Sequence, residues 1–367
     1  MTLPPRARLP LLAAGAAALW WGVWLGLSRM GAVPAAAGTG AHGPLMVSGF
    51  LGTVISLERA VASRRPWAYV GPLACAASVV LALVAPGPAS AWAQALGGAV
   101  TLAVLLDVTR RDPALHHVAG AVAAACWVAG TLLLVSGRPA AEAVPLWLTF
   151  LVGTICAERL ELTRLLPRTR WARSAFVLAG LALMFGAALA LVDRRAGLAL
   201  HGAAQLGFAV WLWRYDLARR TVHEQGATRF IAAALLSGYA WLAVGGSLAL
   251  MAGAHVAGPL YDAMLHATLV GFVFSMIFGH ALIIVPALLG VRLTFSRRFY
   301  VHLALLHASL ALRVGADLAG STGLRQAGGW LNAAAIALFL VSTVSAVRRA
   351  SGARSHAQVG AAPTAPS

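Results

Sequence analysis

The eleven histidines are the side chains best suited to chemistry here, because they sit in a chain that is 60% apolar and only 11% charged. A polar or charged residue at membrane depth is costly, about 2.5–3.5 kcal/mol for Arg, Lys or Asp, so each one needs a reason. Neutral imidazole binds haem iron, copper or zinc without bringing in a buried charge, so histidines paired on neighbouring helices suit an intramembrane metal site. His280 and His307 are the best-matched pair. One lies nine residues before its apolar run ends near Leu289, the other about nine after the next run begins, so they share a depth. His266 precedes His280 by fourteen residues, which on an ideal helix leaves about 40° and about 21 Å between them, facing one interior but unable to share an ion. The competing reading for His42, His201, His266, His280, His302 and His307 is a hydrogen bond between helices or an interfacial position. His116, His117 and His223 fall in arginine-rich loops, where a solvated face or contact with lipid headgroups accounts for them.

The carboxylates form a second pattern. Glu58-Arg59 and Glu158-Arg159 each follow a Phe-Leu pair, Phe50-Leu51 and Phe150-Leu151, with eight residues from Phe to Glu. Near helix ends such pairs either link helices as ion pairs or, since paired carboxylates at a membrane surface relay protons, form a proton or substrate access point. Asp107, Asp193 and Asp262 fall at the ends of apolar runs and read as caps or surface charges. Cys75, Cys126 and Cys156 lie inside apolar runs without Cys-x-x-Cys spacing and read as small buried hydrophobes. Phosphate-binding loops, a Ser-His-Asp order and His-Glu-x-x-His spacing are absent, which leaves hydrolase chemistry without support.

A membrane bundle must position these residues. The mean hydropathy is +0.80, and a soluble domain would carry roughly 25% charged residues. A net charge of +17, all of its basic residues arginine, would suggest nucleic acid in a soluble protein, but here the charge sits between apolar runs and reads as topology. Twelve such runs occur near 11–28, 43–62, 67–85, 91–108, 117–135, 143–162, 174–192, 196–213, 229–251, 259–289, 299–316 and 328–347, where a span needs about 20 residues. Residues 6–28 have the charge order of a signal peptide, yet Trp20, Trp21 and Trp24 and the spans that follow favour a retained first helix. Alternate connections hold 22 arginines on one side and six on the other, which puts both termini in the cytoplasm. The fold class expected is all-α, a polytopic transmembrane bundle of about twelve helices. Residues 1–350 form a single transmembrane domain, and the Ala/Pro/Ser-rich stretch 351–367 is a disordered tail. The Ala/Arg bias, without lysine, is that of a GC-rich bacterial coding sequence, and the location expected is the cytoplasmic membrane.

The pattern repeats with a period of four helices. The two Glu-Arg pairs are 100 residues apart, in runs 2 and 6, and in run 10 Gly271-Phe272 mirrors Gly49-Phe50, with His280 nine after its Gly as Glu58 is after Gly49. His42 precedes the first Gly-Phe by seven residues and His266 the other by five, both entering from the non-cytoplasmic side. Three groups of four helices form a pseudo-threefold 3×4 arrangement, unlike the nested three-helix repeats of major-facilitator transporters. Chance matching in an Ala/Leu/Gly-rich chain is the alternative. Gly22 and Gly26 have the Gly-x-x-x-Gly interval, which packing explains in a sequence with 38 glycines. Trp67, Trp92, Trp147, Trp171 and Trp330 fall near run ends, as interfacial anchors do.

In run 10 the stretch His266-Ala267-Thr268-Leu269-Val270-Gly271-Phe272-Val273-Phe274-Ser275-Met276 resembles the NnrS-like membrane proteins, in which His-Ala-x-x-x-Gly leads to a Ser/Thr-Met pair. The twelve runs and the period of four also look like subunit I of the haem-copper oxidases, whose helices 2, 6 and 10 carry the metal-binding histidines. The resemblance implies haem or copper, a setting in nitrogen-oxide or respiratory metabolism, His266 as a ligand and His42 as its partner. Two departures limit it. Run 6 contains no histidine, and run 10 lacks closely spaced histidines for two haems, so an oxygen-reducing centre is not expected. The reading reached is a haem- or copper-binding membrane protein with its cofactor at His42 and His266 and a second metal site at His280 and His307. Its partners are the lipid bilayer and either a second copy or a respiratory protein, and not nucleic acid. The alternatives are a proton-coupled transporter using Glu58, Glu158 and His280, and a membrane scaffold or accessory subunit without ligand, whose histidines would face lipid.

Overall fold

In lipid every backbone N–H and C=O must be satisfied within the protein, and a long apolar chain meets that demand by forming helices. The computed structural model describes residues 3–85, 87–163 and 169–359, with side chains as far as Arg349, and contains no strand among them. The main elements are α1 (Leu9–Arg29), α2 (Thr39–Ser63), α3 (Pro66–Val84), α4 (Pro88–Arg111), α5 (Leu115–Val135) and α6 (Ala140–Leu162). They continue as α7 (Arg170–Leu189), α8 (Arg194–Tyr215), α9 (Gly226–Ala252), α10 (Pro259–Leu289), α11 (Phe299–Leu318) and α12 (Thr322–Val359). Each of the twelve expected runs is helical. Among the described residues eleven helices are long and apolar enough to cross a membrane. The exception, α8, has 22 residues; its three arginines lie at its ends, and the polar His201 and Gln205 interrupt the apolar stretch between them. The expected tail begins within α12, and residues 360–367 lie outside the described ones.

Local chemistry sets the helix ends. Thr169 caps α7 by accepting from the Ala172 amide at 3.2 Å, and Asp193 caps α8 by accepting from Ala196 at 3.0 Å, as its position in the sequence implied. Proline opens α3, α4 and α10, where its missing N–H costs no helical bond. Gly290, at φ 63, closes α10 in the left-handed conformation that glycine adopts without strain.

Chain neighbours pack as antiparallel pairs, and α12 returns to touch α1. Inside this set α10 contacts both α2 and α6, and an ion pair between Arg59 and Glu158 joins α2 to α6. The three helices singled out by the period of four therefore meet. Phe50 of α2 and Phe274 of α10 approach with ring centres 6.0 Å apart, and Phe150 of α6 stacks on Trp127 of α5 at 4.7 Å. The three cysteines are buried and unpaired, as small hydrophobes.

Two of these helices are irregular at matching places. Leu45–Gly52 in α2 and Ala267–Val273 in α10 are π-helical, each beginning just after its histidine and running through the Gly-Phe pair. Such i→i+5 segments concentrate at functional sites. They also change the register, so the ideal-helix angle expected between His266 and His280 does not carry across Ala267–Val273.

Candidate functional site

His42 and His266 face each other. Their rings stand 6.5 Å apart, centre to centre, with their planes only 18° from parallel. His42 Nδ1 lies 2.7 Å from the Gly22 carbonyl oxygen, and His266 Nδ1 lies 2.8 Å from the Asp262 carbonyl oxygen. A carbonyl can only accept, so both Nδ1 atoms carry the proton and both Nε2 atoms keep a lone pair. Both rings line a cavity of about 390 Å³ that also meets Val23, Leu51, Leu269 and Phe274 and extends to the exposed Arg29 and Gly40. That volume lies within the range of small-molecule and cofactor sites.

The second layer of contacts fixes the two rings. Asp262 Oδ1 lies 3.3 Å from His266 Nδ1, so a carboxylate backs that imidazole as well as a carbonyl. Asp262 Oδ2 accepts from Arg313 Nη2 at 2.8 Å and lies 3.5 Å from Arg325, whose Nε is 2.8 Å from Asp317. Asp262 is thus the centre of a half-buried ionic network and not the surface charge or simple cap its place at a helix end suggested. On the other side, His42 lies against α1 where Gly26 leaves room. A Cβ at Gly26 would stand 2.9 Å from His42 Cε1, and one at Gly22 would stand 2.7 Å from Met46 Sδ. The Gly-x-x-x-Gly interval is packing, as expected, but what it packs is the site. Met30 and Met46 add two thioethers to the cavity wall.

The donor set suits a metal. Two imidazoles that flank one ion, each nitrogen about 2.0–2.1 Å from it, need ring centres about 6 Å apart, and the separation here is 6.5 Å. Carbonyl or carboxylate partners on the far nitrogens are the usual support of ligating histidines. Imidazole suits iron and copper, and thioether suits copper(I).

A family model described as Domain of unknown function (DUF8744) matches residues 8–348. The chain belongs to that family. No curated protein matches the sequence. The match covers all of α1 to α11 and most of α12, so His42, His266 and their partners all lie inside the family's span.

The remaining candidates enter other networks. His280 donates from Nδ1 to the Met276 carbonyl at 2.8 Å and accepts at Nε2 from Arg159 Nη1 at 3.1 Å, so both of its nitrogens are engaged. His307 accepts at Nδ1 from Trp241 Nε1 at 3.0 Å. Arg159 also donates to Asp216 at 2.8 Å, and Arg59 bonds to Glu158 while lying 3.9 Å from Glu58. Of the two readings for the Glu-Arg pairs, this geometry has the form of the first: the arginines tie α2, α6, α10 and the end of α8 together. His201 holds a third network, with Nε2 3.1 Å from Thr149, Nδ1 3.0 Å from Gln205, and Gln205 Oε1 accepting from Thr268 at 3.0 Å.

Sequence reading missed several of these groups. Asp216 carried no signal, because its partner is 57 residues away in the chain. Trp147, expected among the interfacial anchors, is buried and lines the cavity, whereas Trp67, Trp92, Trp171 and Trp330 are exposed as anchors should be. His116 and His117, expected in a loop, lie in the first turn of α5, and with Asp112 they place potential ligand atoms within 4.8 Å of one another.

Proposed function

We propose that this chain is a multi-pass membrane protein that binds haem or copper between His42 and His266. The observation that carries the reading is the facing pair itself: two imidazoles from α2 and α10 on one cavity, ring centres 6.5 Å apart, with Nδ1 fixed on carbonyls and Nε2 left for a ligand. The mutual approach of the rings also argues against a ligand-free scaffold, for which histidines facing lipid were the expected sign.

Each part of the chain has a role in that reading. Gly22 and Gly26 admit the His42 ring, Asp262 orients His266, and the π-helical turns aim both histidines at one cavity. A bound haem iron or copper would supply electron transfer or the capture of a small diatomic ligand. The wall deeper in the cavity is apolar, through Val23, Leu51, Leu269 and Phe274, and Arg29 and Arg313 adjoin the two rings. The resemblance of the His266–Met276 stretch to NnrS-like proteins supports a setting in nitrogen-oxide or respiratory metabolism. The arginine asymmetry supports cytoplasmic termini and, with them, a His42–His266 cavity toward the outer side. The meeting of α2, α6 and α10 supports a 3×4 arrangement.

The test is an absorption spectrum, oxidised and reduced, with metal analysis, on protein purified from cells supplied with haem and copper. A haem band or stoichiometric copper that is lost in His266→Ala is the result expected. A colourless, metal-free wild-type protein would overturn the reading.

A further inference from the structure

The mouth of the His42–His266 cavity is more cationic than its chemistry as a metal site requires. Its wall carries the guanidiniums of Arg29, Arg313 and Arg325 against the single carboxylate of Asp262. Arg325 is balanced from behind by Asp317, and Arg313 Nη2 by Asp262. Two groups are left over. Arg29 makes no hydrogen bond or ion pair among the described residues, and Arg313 Nε is buried without a hydrogen-bond partner although the Arg313 side chain is only 8% exposed. A buried N–H of a charged group left without a hydrogen bond is destabilising, so an acceptor entering the cavity would be bound with a gain. Behind these two guanidiniums the wall turns apolar, through Val23, Leu27, Leu269 and Phe274.

A charged mouth in front of an apolar chamber selects a ligand with the same division. Guanidinium pairs best with planar oxyanions through two parallel N–H···O bonds, and a carboxylate is the smallest such group that an apolar body commonly carries. We propose that Arg29 and Arg313 bind the carboxylate of an amphiphilic ligand whose apolar part fills the chamber toward Phe274. The inference deepens the cofactor reading, because it concerns the same cavity, but it draws on different residues. The carboxylate has two sources: the propionates of a haem, or a free fatty acid.

The experiment uses the full-length protein in lipid nanodiscs and follows quenching of tryptophan fluorescence, to which the cavity-lining Trp147 contributes. Four probes are titrated: haem, haem dimethyl ester, octanoate and 1-octanol. Arg29→Gln is the informative variant, since Arg29 is exposed and holds no partner whose loss would disturb the fold. The expected result is that each acid, haem over its ester or octanoate over octanol, binds wild type at least tenfold tighter than its neutral counterpart, and that Arg29→Gln removes the difference. Preference for haem over its ester alone assigns the carboxylate to a haem. Preference for octanoate in a protein that takes up neither haem nor metal keeps the carboxylate site and overturns the metal reading. Equal binding of acid and neutral forms to wild type overturns the carboxylate site, and haem bound equally as acid and ester would leave the metal reading standing alone.

Discussion

His266 Nδ1 meets Asp262 twice: it donates to the Asp262 backbone carbonyl at 2.8 Å, and the Asp262 carboxylate stands 3.3 Å from the same nitrogen. One residue therefore fixes the tautomer of the imidazole and brings it a negative charge, while the same carboxylate anchors α11 through Arg313. Support of this kind raises the basicity of a ligating histidine, and its removal costs about 10–100-fold in metal affinity. Asp262→Asn is expected to weaken metal retention by about that factor, measured by competition with a chelator. Unchanged affinity in a variant with native helical content would show that His266 is not a ligand.

The close approach of α1 to His42 gives a second test. Gly26→Ala places a Cβ 2.9 Å from His42 Cε1, closer than such atoms come in proteins, so the ring must turn away from His266. Metal occupancy should fall about tenfold or more, in line with the loss of one orienting contact. Gly323→Ala is the control, because nothing lies within 4 Å of a Cβ there. If the two variants retain metal equally, the position of His42 against α1 has no part in the site.

The two arginines of the repeated pairs should differ in what they hold. Arg159 and Asp216 have side chains 7% and 0% exposed, whereas those of Arg59 and Glu158 are 22% and 29% exposed. Removing one partner of a buried pair costs about 3–5 kcal/mol, because the other charge is left without compensation. A partly exposed pair contributes about 1 kcal/mol or less. Arg159→Leu is therefore expected to lower the thermal midpoint far more than Arg59→Leu, and Arg159→Leu with Asp216→Leu should recover much of the loss. Equal shifts for the two single variants would contradict the burial argument.

The chain from Thr149 through His201 and Gln205 to Thr268 ties α6, α8 and the π-helical part of α10. Gln205→Leu removes the donor to His201 and the acceptor of Thr268, each of them buried. Leaving a buried polar group unsatisfied costs about 1–3 kcal/mol. The variant should unfold at lower temperature and, if Ala267–Val273 shifts, also lose metal. Thermal melts and metal analysis on one preparation separate the two effects.

What the sequence determined by itself is the part of the structure governed by short-range rules. Apolar runs of span length, broken by Pro, Gly and Arg, yield helices because lipid leaves the backbone no other partner. Caps such as Asp193, the buried cysteines and most of the anchoring tryptophans followed from the same local logic. The period of four also pointed to α2, α6 and α10, which do meet. Tertiary structure decided which polar groups share a site. His266 and His280 lie on one helix too far apart to share an ion, but that one meets His42 and the other Arg159 was settled by the helices packed against α10. His280 and His307 matched in depth but joined different networks, since depth fixes one coordinate and the rotation of each helix fixes the other. Asp262 looked like a helix-end charge and Asp216 carried no signal until helices distant in sequence brought arginines to them, and Trp147 looked like an anchor until the bundle closed around it. Hydropathy depends on a residue and its chain neighbours, whereas a site depends on how helix faces are paired, and that pairing is settled only when all the faces are packed at once.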